Sequence, residues 1–346
     1  MTTRNKRISL KDIAQEAGVS VSLVSIVLNG KAKQHRVSEV VAKRIRKIAD
    51  KLGYRPNLAA KSLRDGRSST IGVVVSDISN PFFANIARQI EATAEKYDYT
   101  VQFSSSDENS ARMSSLIDSM LCRNIDGLIV VPSEGAEEKI ACLISTGTPL
   151  VLLDRKIPEL DCSYVCLDNW RASYDSAKHL ISNGYCKIGV LAYDMKLQNM
   201  LDRVEGCRAA MRESGFEKNL HVRYADHTNM HKSCEKVLRQ LRDIGVDALV
   251  FASNAIASEC LRIIIGAGMH IPGDFAVVTF DGGSSYDFFS APFTYIEQPI
   301  EIMAQKATEV LIEQIEHNTT LIQRIDIGGR LVIRESSAPK SSKPIF

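Results

Sequence analysis

The sequence predicts an α/β chain in which a small helical module precedes a large body of two lobes. Three observations lead there. Charge is divided: residues 1–67 hold sixteen Lys and Arg against five Asp and Glu, although the whole 346-residue chain carries only +2, so a basic module is joined to an acidic body. Hydrophobic spacing is helical in the module, whereas from Ile71 onward short apolar runs alternate with helical stretches, the pattern of repeated βα units. The body, roughly 265 residues long, exceeds one comfortable doubly wound domain.

Composition narrows the class further. Hydrophobic residues make up 45% of the chain, ample for a buried core. No apolar run approaches the roughly 20 residues that span a bilayer, and the start "MTTRNKRISLKDIAQ" lacks a signal-peptide core. A cytoplasmic protein is expected. Eight cysteines are scattered without a CxxC pair, which fits a reducing compartment.

The module's elements follow from its caps. In "SLKDIAQEAG", Ser9 caps a short helix, Asp12 is its capping-box partner, and Gly18 ends it after Ala17. Ser20 caps a second helix that reaches about Leu28 and stops at Asn29 and Gly30. A third starts at Ser38 and places Val41, Ile45, Ile48, Ala49 and Leu52 on one face. Three short helices with a glycine turn between the first two make a helix-turn-helix, whose second helix enters the DNA major groove. A merely solvated basic tail would lack this periodicity.

Longer motifs make the match specific. "SLKDIAQEAGVSVSLVSIVLNG", "LGYRPN" with "AAKSL", "IGVVVSDISNPFF", "DGLIVVP", "LDR" and "FDGG" occur in this order, and over nearly its whole length the chain resembles the LacI/GalR family of bacterial transcription regulators. The resemblance implies a DNA-binding regulator controlled by a small effector, most simply a sugar. It also implies a body similar to periplasmic sugar-binding proteins.

In the second helix, 100° per residue places Val21, Ser25, Asn29, Ser22 and Ile26 within one arc of about 140°. Val24, Val27 and Leu28 lie opposite, toward the third helix. By resemblance, Val21, Ser22 and Ile26 stand where family members contact base edges, and Ser20, Ser25 and Asn29 complete the DNA-facing set. Ile26 replaces a usual Arg and Leu23 a usual Thr. Without that Arg the helix has no bidentate fork for guanine, and contacts to thymine methyls are expected instead. The alternative makes Val21 and Ile26 core residues of a differently packed helix.

Next comes "RPNLAAKSLRDGRSS", where Asn57 caps a helix from Leu58 to about Leu63, too short to be stable alone. The resemblance makes it a hinge helix that pairs with its dimer mate in the minor groove, Leu63 wedging between base steps. Ala60 would permit close approach, and Lys61 and Arg64 would meet phosphates. A plain amphipathic linker is the other reading.

In the body, the runs "IGVVV", "TVQFS", "GLIVV", "PLVLL", "KIGVLA", "DALVFA" and "FAVVTF" read as strands of open parallel sheets, whose ligands bind beyond the carboxyl ends. Polar and aromatic residues just past strand ends are therefore the effector candidates: Asp77, Phe82, Phe83, Ser133, Asp154 and Arg155 in the first lobe. Arg203, Asn254, Asp281 and Gln298 join them from the second lobe and a crossing. Carboxylates accept from adjacent hydroxyls, Arg donates a fork, amides do both, and an aromatic face covers the C–H side of a sugar. Each also has a local explanation: Asp154 and Arg155 as an ion pair, Asn254 as a helix cap, Asp281 as a turn former, Phe82 and Phe83 as core. Related proteins hold pentoses or hexoses at these positions; Ala255, where an Asp is common, departs from the pattern. A sugar phosphate, a nucleobase, or a sugar-binding body with incidental DNA binding are the alternatives.

Enzyme, cofactor and metal readings are not supported. "GAG" at Gly266–Gly268 lacks the third glycine of a dinucleotide fingerprint and no GxSxG elbow occurs. His227, His231 and Cys234 have metal-like spacing but read better as a loop and helix start. "CSYVC", with Cys162 and Cys166, reads as a strand. The expected organisation is a headpiece at 1–53, a hinge at 54–69 and a body at 70–336. Lobe 1 comprises about 70–168 and 299–327, and lobe 2 about 169–298 and 328–336, with crossings near Asp168, Gln298 and Gly328. A disordered tail follows at 337–346. The hinge pairing predicts a homodimer on a pseudo-palindromic operator.

Overall fold

The computed structural model describes residues 8–55, 66–282, 289–319 and 321–340. Asn57, Ala60, Lys61, Leu63 and Arg64 lie outside the described residues. The chain divides into two units, Met1–Ser68 and Ser69–Phe346.

In the first unit, α1 (Leu10–Ala17) starts at a reciprocal capping box: Ser9 Oγ accepts from the Asp12 amide, and the Ser9 amide donates to Asp12 Oδ2 at 2.8 Å. It ends at Gly18, whose φ of 62° is left-handed. In α2 (Val21–Leu28), Ser20 Oγ accepts from the Leu23 amide at 3.2 Å. Ser38 caps α3 (Glu39–Lys51) in the same way. The shared core joins Ile13, Ala14 and Ala17 to Val24, Val27, Ala42, Ile45 and Ala49. On α3 the buried seam thus runs along 42, 45 and 49, and the expected Val41, Ile48 and Leu52 flank it half-buried.

The second unit is built on two six-stranded sheets with the same winding. In the first, β1 (Thr70–Val75), α4 (Pro81–Glu95), β2 (Thr100–Ser105), α5 (Ser110–Leu121), β3 (Gly127–Val130), α6 (Glu137–Ser145), β4 (Leu150–Leu153) and β5 (Ser163–Leu167) follow in order. The second contains α7 (Asn169–Ser182), β6 (Ile188–Tyr193), α8 (Gln198–Glu213), β7 (Leu220–Ala225), α9 (Met230–Ile244), β8 (Ala248–Phe251), α10 (Asn254–Gly266), β9 (Ala276–Phe280) and β10 (Thr294–Glu297). The chain then runs through α11 (Ile300–His317), β11 (Arg324–Ile327) and β12 (Arg330–Val332). Strand orders are β11-β5-β4-β3-β1-β2 and β12-β10-β9-β8-β6-β7, parallel throughout except where β12 meets β10.

Strand alternation fills both faces of each sheet. Ile71, Val73 and Val75 of β1 pack against α4 and α11, while Val74 packs with Met113 and Met120 of α5. The second sheet is covered likewise by α9 with α10, and by α7 with α8. The chain passes between sheets at Asp168, at Gln298–Pro299 and at Gly328–Gly329, because the strands and helices on either side belong to different layers. This aims the carboxyl ends of β1, β3 and β4 at those of β6, β8 and β9.

One expectation is corrected at the C-terminus. Ser336 and Ser337 are fully buried. Ser336 Oγ accepts from the Thr294 amide at 2.8 Å and donates to Val277 O at 2.7 Å; Ser337 Oγ meets His179 Nε2 at 2.7 Å. Lys340 Nζ then pairs with Asp247 at 2.6 Å. Small hydroxyl residues look like tail composition, but here they satisfy backbone groups that β9 and β10 leave open, so 337–340 are docked. Residues 341–346 lie outside the described residues.

Helices α7 and α8 approach so closely that a Cβ on Gly206 would lie 2.2 Å from the Trp170 carbonyl oxygen. Gly206→Ala should therefore destabilise the second lobe by about 1–3 kcal/mol, the cost of overpacking. An unshifted urea midpoint would contradict this close contact.

Candidate functional site

The outward face of α2 carries no charged side chain. Val21 is 39% exposed, Ser22 and Asn29 are exposed, and Ile26 is half-buried but does not join the headpiece core. Val24 and Val27 are fully buried, with Leu23 and Leu28 packed beside them. The core-packed alternative for Val21 and Ile26 is therefore not how the helix sits. Asn29 ends α2, its Nδ2 donating to Ser25 O at 2.7 Å and to Ser25 Oγ at 3.1 Å. Ser20 serves as the N-cap.

The second site is a cleft of about 400 Å³ at the facing strand ends. Asp77, Phe82, Phe83, Asp154, Arg155, Arg203, Asn254, Asp281 and Gln298 all line it. Each is placed by its element. Asp154 and Asp281 follow β4 and β9 with φ of 66° and 62°, a left-handed turn that Asp tolerates better than most residues. Phe82 and Phe83 open α4, whose Asn80 cap accepts from the Phe82 amide at 3.0 Å. Their rings meet edge-on with centroids 5.0 Å apart, and both also belong to the first lobe's core.

Ser133 is the exception. Although it follows β3, it faces inward, its hydroxyl 3.2 Å from Ser106 Oγ, and it does not line the cleft.

Two buried guanidinium groups dominate the cleft, and each is satisfied differently. Arg155 makes a fork with Glu108, Nη1–Oε2 at 2.7 Å and Nη2–Oε1 at 2.6 Å, and also donates to Pro132 O at 3.1 Å. Its Nε stands 3.6 Å from Asp154 Oδ2. Arg203 Nε donates to Asn169 Oδ1 at 2.7 Å and Nη1 to Ala252 O at 2.5 Å, while the guanidinium lies 3.9 Å from the Phe280 ring centroid. A cation over a ring face is attracted by the quadrupole.

The titrating groups respond. Burial pushes the Glu108 carboxyl up, but the hydrogen bonds and charge of Arg155 outweigh it and the pKa falls below its ordinary value. Asp154 is raised, because burial exceeds the pull of Arg155 and Arg203. Asp281 is raised to about 6 by burial, against opposition from Arg203 and the Gln298 hydrogen bond.

Among the described residues, three sets of polar contacts cross the cleft between lobes. Asn80 and Asn254 exchange amide hydrogen bonds at 3.1 and 2.8 Å, Asn199 Nδ2 reaches Asp154 Oδ2 at 3.4 Å, and the Lys196 amide donates to Glu134 at 3.1 Å. Asn254 is the first residue of α10, and the helix cap is Ser253, so its amide is free to bridge.

The sequence reading missed several lining residues, notably Glu108, Asn80, Tyr193, Asn199 and His227. Glu108 follows β2 and obeys the rule that selected the others. His231 lies nearby on α9, its Nδ1 2.5 Å from Glu259 Oε1. Cys166 lies on β5 and Cys162 just before it, both buried.

Breaking the buried fork should be costly. Glu108→Gln removes the carboxylate that forks Arg155 and leaves only Asp154, 3.6 Å from its Nε, and a loss of roughly 3–5 kcal/mol is expected in chemical unfolding. A wild-type midpoint would show the pair to be dispensable. Asp281 makes a separate prediction about pH. A carboxyl raised on folding stabilises the protein below its unfolded pKa near 3.8, and that contribution disappears as pH rises through about 6. Asp281→Asn should therefore lose less stability than wild type between about pH 4 and 7; parallel curves would rule the titration out.

Comparisons with known proteins bear on both sites. Residues 68–335 match the family described as periplasmic binding proteins and sugar binding domain of LacI family. Residues 9–57 match that of bacterial regulatory proteins, lacI family. Catabolite control protein A of Priestia megaterium is 28% identical over 337 residues, 95% of this chain and 99% of its own. A transcriptional regulator solved as a CelR–cellobiose complex is 26% identical, with a TM-score of 0.68 over 95% of this chain and 100% of that one. The Lac repressor dimer bound to operator and the anti-inducer ONPF has a TM-score of 0.84 at 21% identity, covering 96% of this chain and 100% of that one, which shows a shared fold.

Proposed function

The chain belongs to the LacI family of bacterial regulatory proteins, which makes it a DNA-binding transcription regulator with an effector-binding body, and from that premise we propose that a sugar bound in the cleft sets its affinity for operator DNA. The observation that carries the sugar reading is the cleft's chemistry. Carboxylates, amides and a guanidinium converge with Phe82 on one space of about 400 Å³, within the usual range of small-ligand sites, about 300–1,000 Å³. The related CelR protein, solved with cellobiose, supports the same reading. A thermal-shift screen tests it: a bound sugar at 100 times its Kd adds about 2.7 kcal/mol. Sugar phosphates and purines in the same screen would reveal the other effector classes.

The proposed division keeps a headpiece at 1–53, a hinge at 54–69 carrying Asn57, Ala60, Lys61 and Leu63, and lobes meeting at the three crossings. The regulator acts as a homodimer on a pseudo-palindromic site, in the cytoplasm where the DNA lies, without a catalytic step. No described helix is long and apolar enough to cross a membrane. Sugar binding favours the closed lobes, and its effect on the operator is bounded by its differential affinity for the two states.

On DNA, α2 reads thymine methyls with Val21 and Ile26 and hydrogen-bonds with Ser22 and Asn29. Ile26→Arg should then shift one symmetric operator position toward guanine by about 1–3 kcal/mol, measured by selection from randomised sites. Unchanged preference there would remove Ile26 from the base-reading set. Affinity should also fall steeply with salt, since several phosphates are neutralised.

A further inference from the structure

Helices α4 and α10 both begin at the cleft, one from each lobe, and their first residues meet there. Asn80 caps α4, while Asn254 is the first residue of α10 behind its own cap, Ser253. The two side-chain amides exchange a pair of hydrogen bonds: Asn254 Nδ2 donates to Asn80 Oδ1 at 2.8 Å, and Asn80 Nδ2 donates to Asn254 Oδ1 at 3.1 Å. Both side chains are part-buried. The other polar contacts across the cleft among the described residues are single: Asn199 reaches Asp154 only at 3.4 Å, and the Lys196 amide meets the exposed Glu134.

The orientation of both amides is set from one end. A backbone N–H only donates, so the bond from the Phe82 amide at 3.0 Å requires the Asn80 atom that receives it to be oxygen. The same oxygen also receives Asn254, whose facing atom must then be its nitrogen. Asn254 Oδ1 is thereby left opposite Asn80 Nδ2, and the pair closes on itself. A helix cap in the first lobe thus determines which way an amide of the second lobe points. One N–H and one oxygen lone pair of Asn254 lie outside the pair, and a ligand meets them in a single orientation.

We propose that Asn80 is a positioning residue that clasps the lobes: through the reciprocal amide pair it orients Asn254 toward the ligand and holds the closed arrangement together. This stands apart from the sugar reading, because both bonds are made by the chain itself. Breaking either partner removes both bonds at once, so the two residues act as a unit. The pair favours the closed lobes by about tenfold, the net worth of two neutral hydrogen bonds. An effector therefore shifts an equilibrium that Asn80 has already weighted.

Spin labels at Glu138 of α6 and Lys232 of α9, both exposed, read the distance between lobes in the full-length protein without added sugar. They enter as non-natural amino acids, since the chain has eight cysteines, and labelled protein is diluted into unlabelled so that distances within one chain are measured. Asn80→Ser keeps a good helix cap but is too short to reach Asn254; Asn254→Ala leaves the Ser253 cap of α10 in place. Each should lower the ratio of closed to open lobes about tenfold. The double variant should open them no further than either single one. Unchanged distances in both single variants, or shifts that add in the double variant, overturn the proposal. If Asn80→Ser folds poorly, Asn254→Ala decides alone.

Discussion

Keeping two arginines charged in a cleft where they are only 5% and 3% exposed is the constraint on which the rest of the site depends. Moving a guanidinium out of water is expensive, and each must recover that cost from fixed partners. Arg155 recovers it within its own lobe through the Glu108 fork, with Asp154 a further 3.6 Å from its Nε. Arg203 recovers it from the Asn169 and Ala252 oxygens and the face of Phe280, none of which carries charge. Among the described residues no carboxylate hydrogen-bonds to Arg203 directly, so its charge acts on its acidic neighbours through space. Asp154 of the first lobe and Asp281 of the second both feel it, so an attraction crosses the gap whenever the lobes approach.

That attraction bears on regulation because one chain crossing belongs to the site. Gln298 follows β10, lies at the passage back into the first lobe, and bonds Asp281 directly. A ligand that touches this pair touches the connection between lobes as well. The Asn80–Asn254 exchange adds a second bridge whose geometry exists only when α4 and α10 begin close together. Closure is thus made of a few directional bonds over a small area, and a ligand supplying its own bonds to both walls shifts the balance by the difference it makes between open and closed states.

Much of this was legible beforehand because it depends on local rules. Ser9, Asp12, Ser20, Ser38 and Gly18 cap helices wherever they stand, and residues just past parallel strands gather at one edge whatever the loops do. Ser133 shows where such reasoning stops: position along the chain is fixed by the strand, but the direction of the side chain is set by its neighbour Ser106, which sequence order does not announce. Glu108 obeyed the strand-end rule; only its partnership with Arg155 gives it weight. The docking of 336–340 was illegible for another reason. Its stability comes from backbone groups of Thr294 and Val277, distant in sequence, and composition alone carries no trace of them.

The two binding surfaces divide chemistry in opposite ways. The cleft selects with directional polar atoms, each costly if left unmatched, so a wrong ligand is rejected by what it fails to satisfy. Helix α2 offers Val21 and Ile26, whose gain on contacting a methyl group is of the order of 25 cal/mol per Å² and has no direction. A non-directional surface penalises a wrong base weakly. In the proposed reading, discrimination must therefore come from the few polar groups, Ser22 and Asn29, and from the deformability of the DNA itself, since a bent or unstacked step costs different energies in different sequences. Asn29 is tied to Ser25, so in that reading its amide would meet DNA in a fixed orientation. On the same reading, the absence of an arginine from α2 would shift specificity from the groove edge to the shape of the duplex.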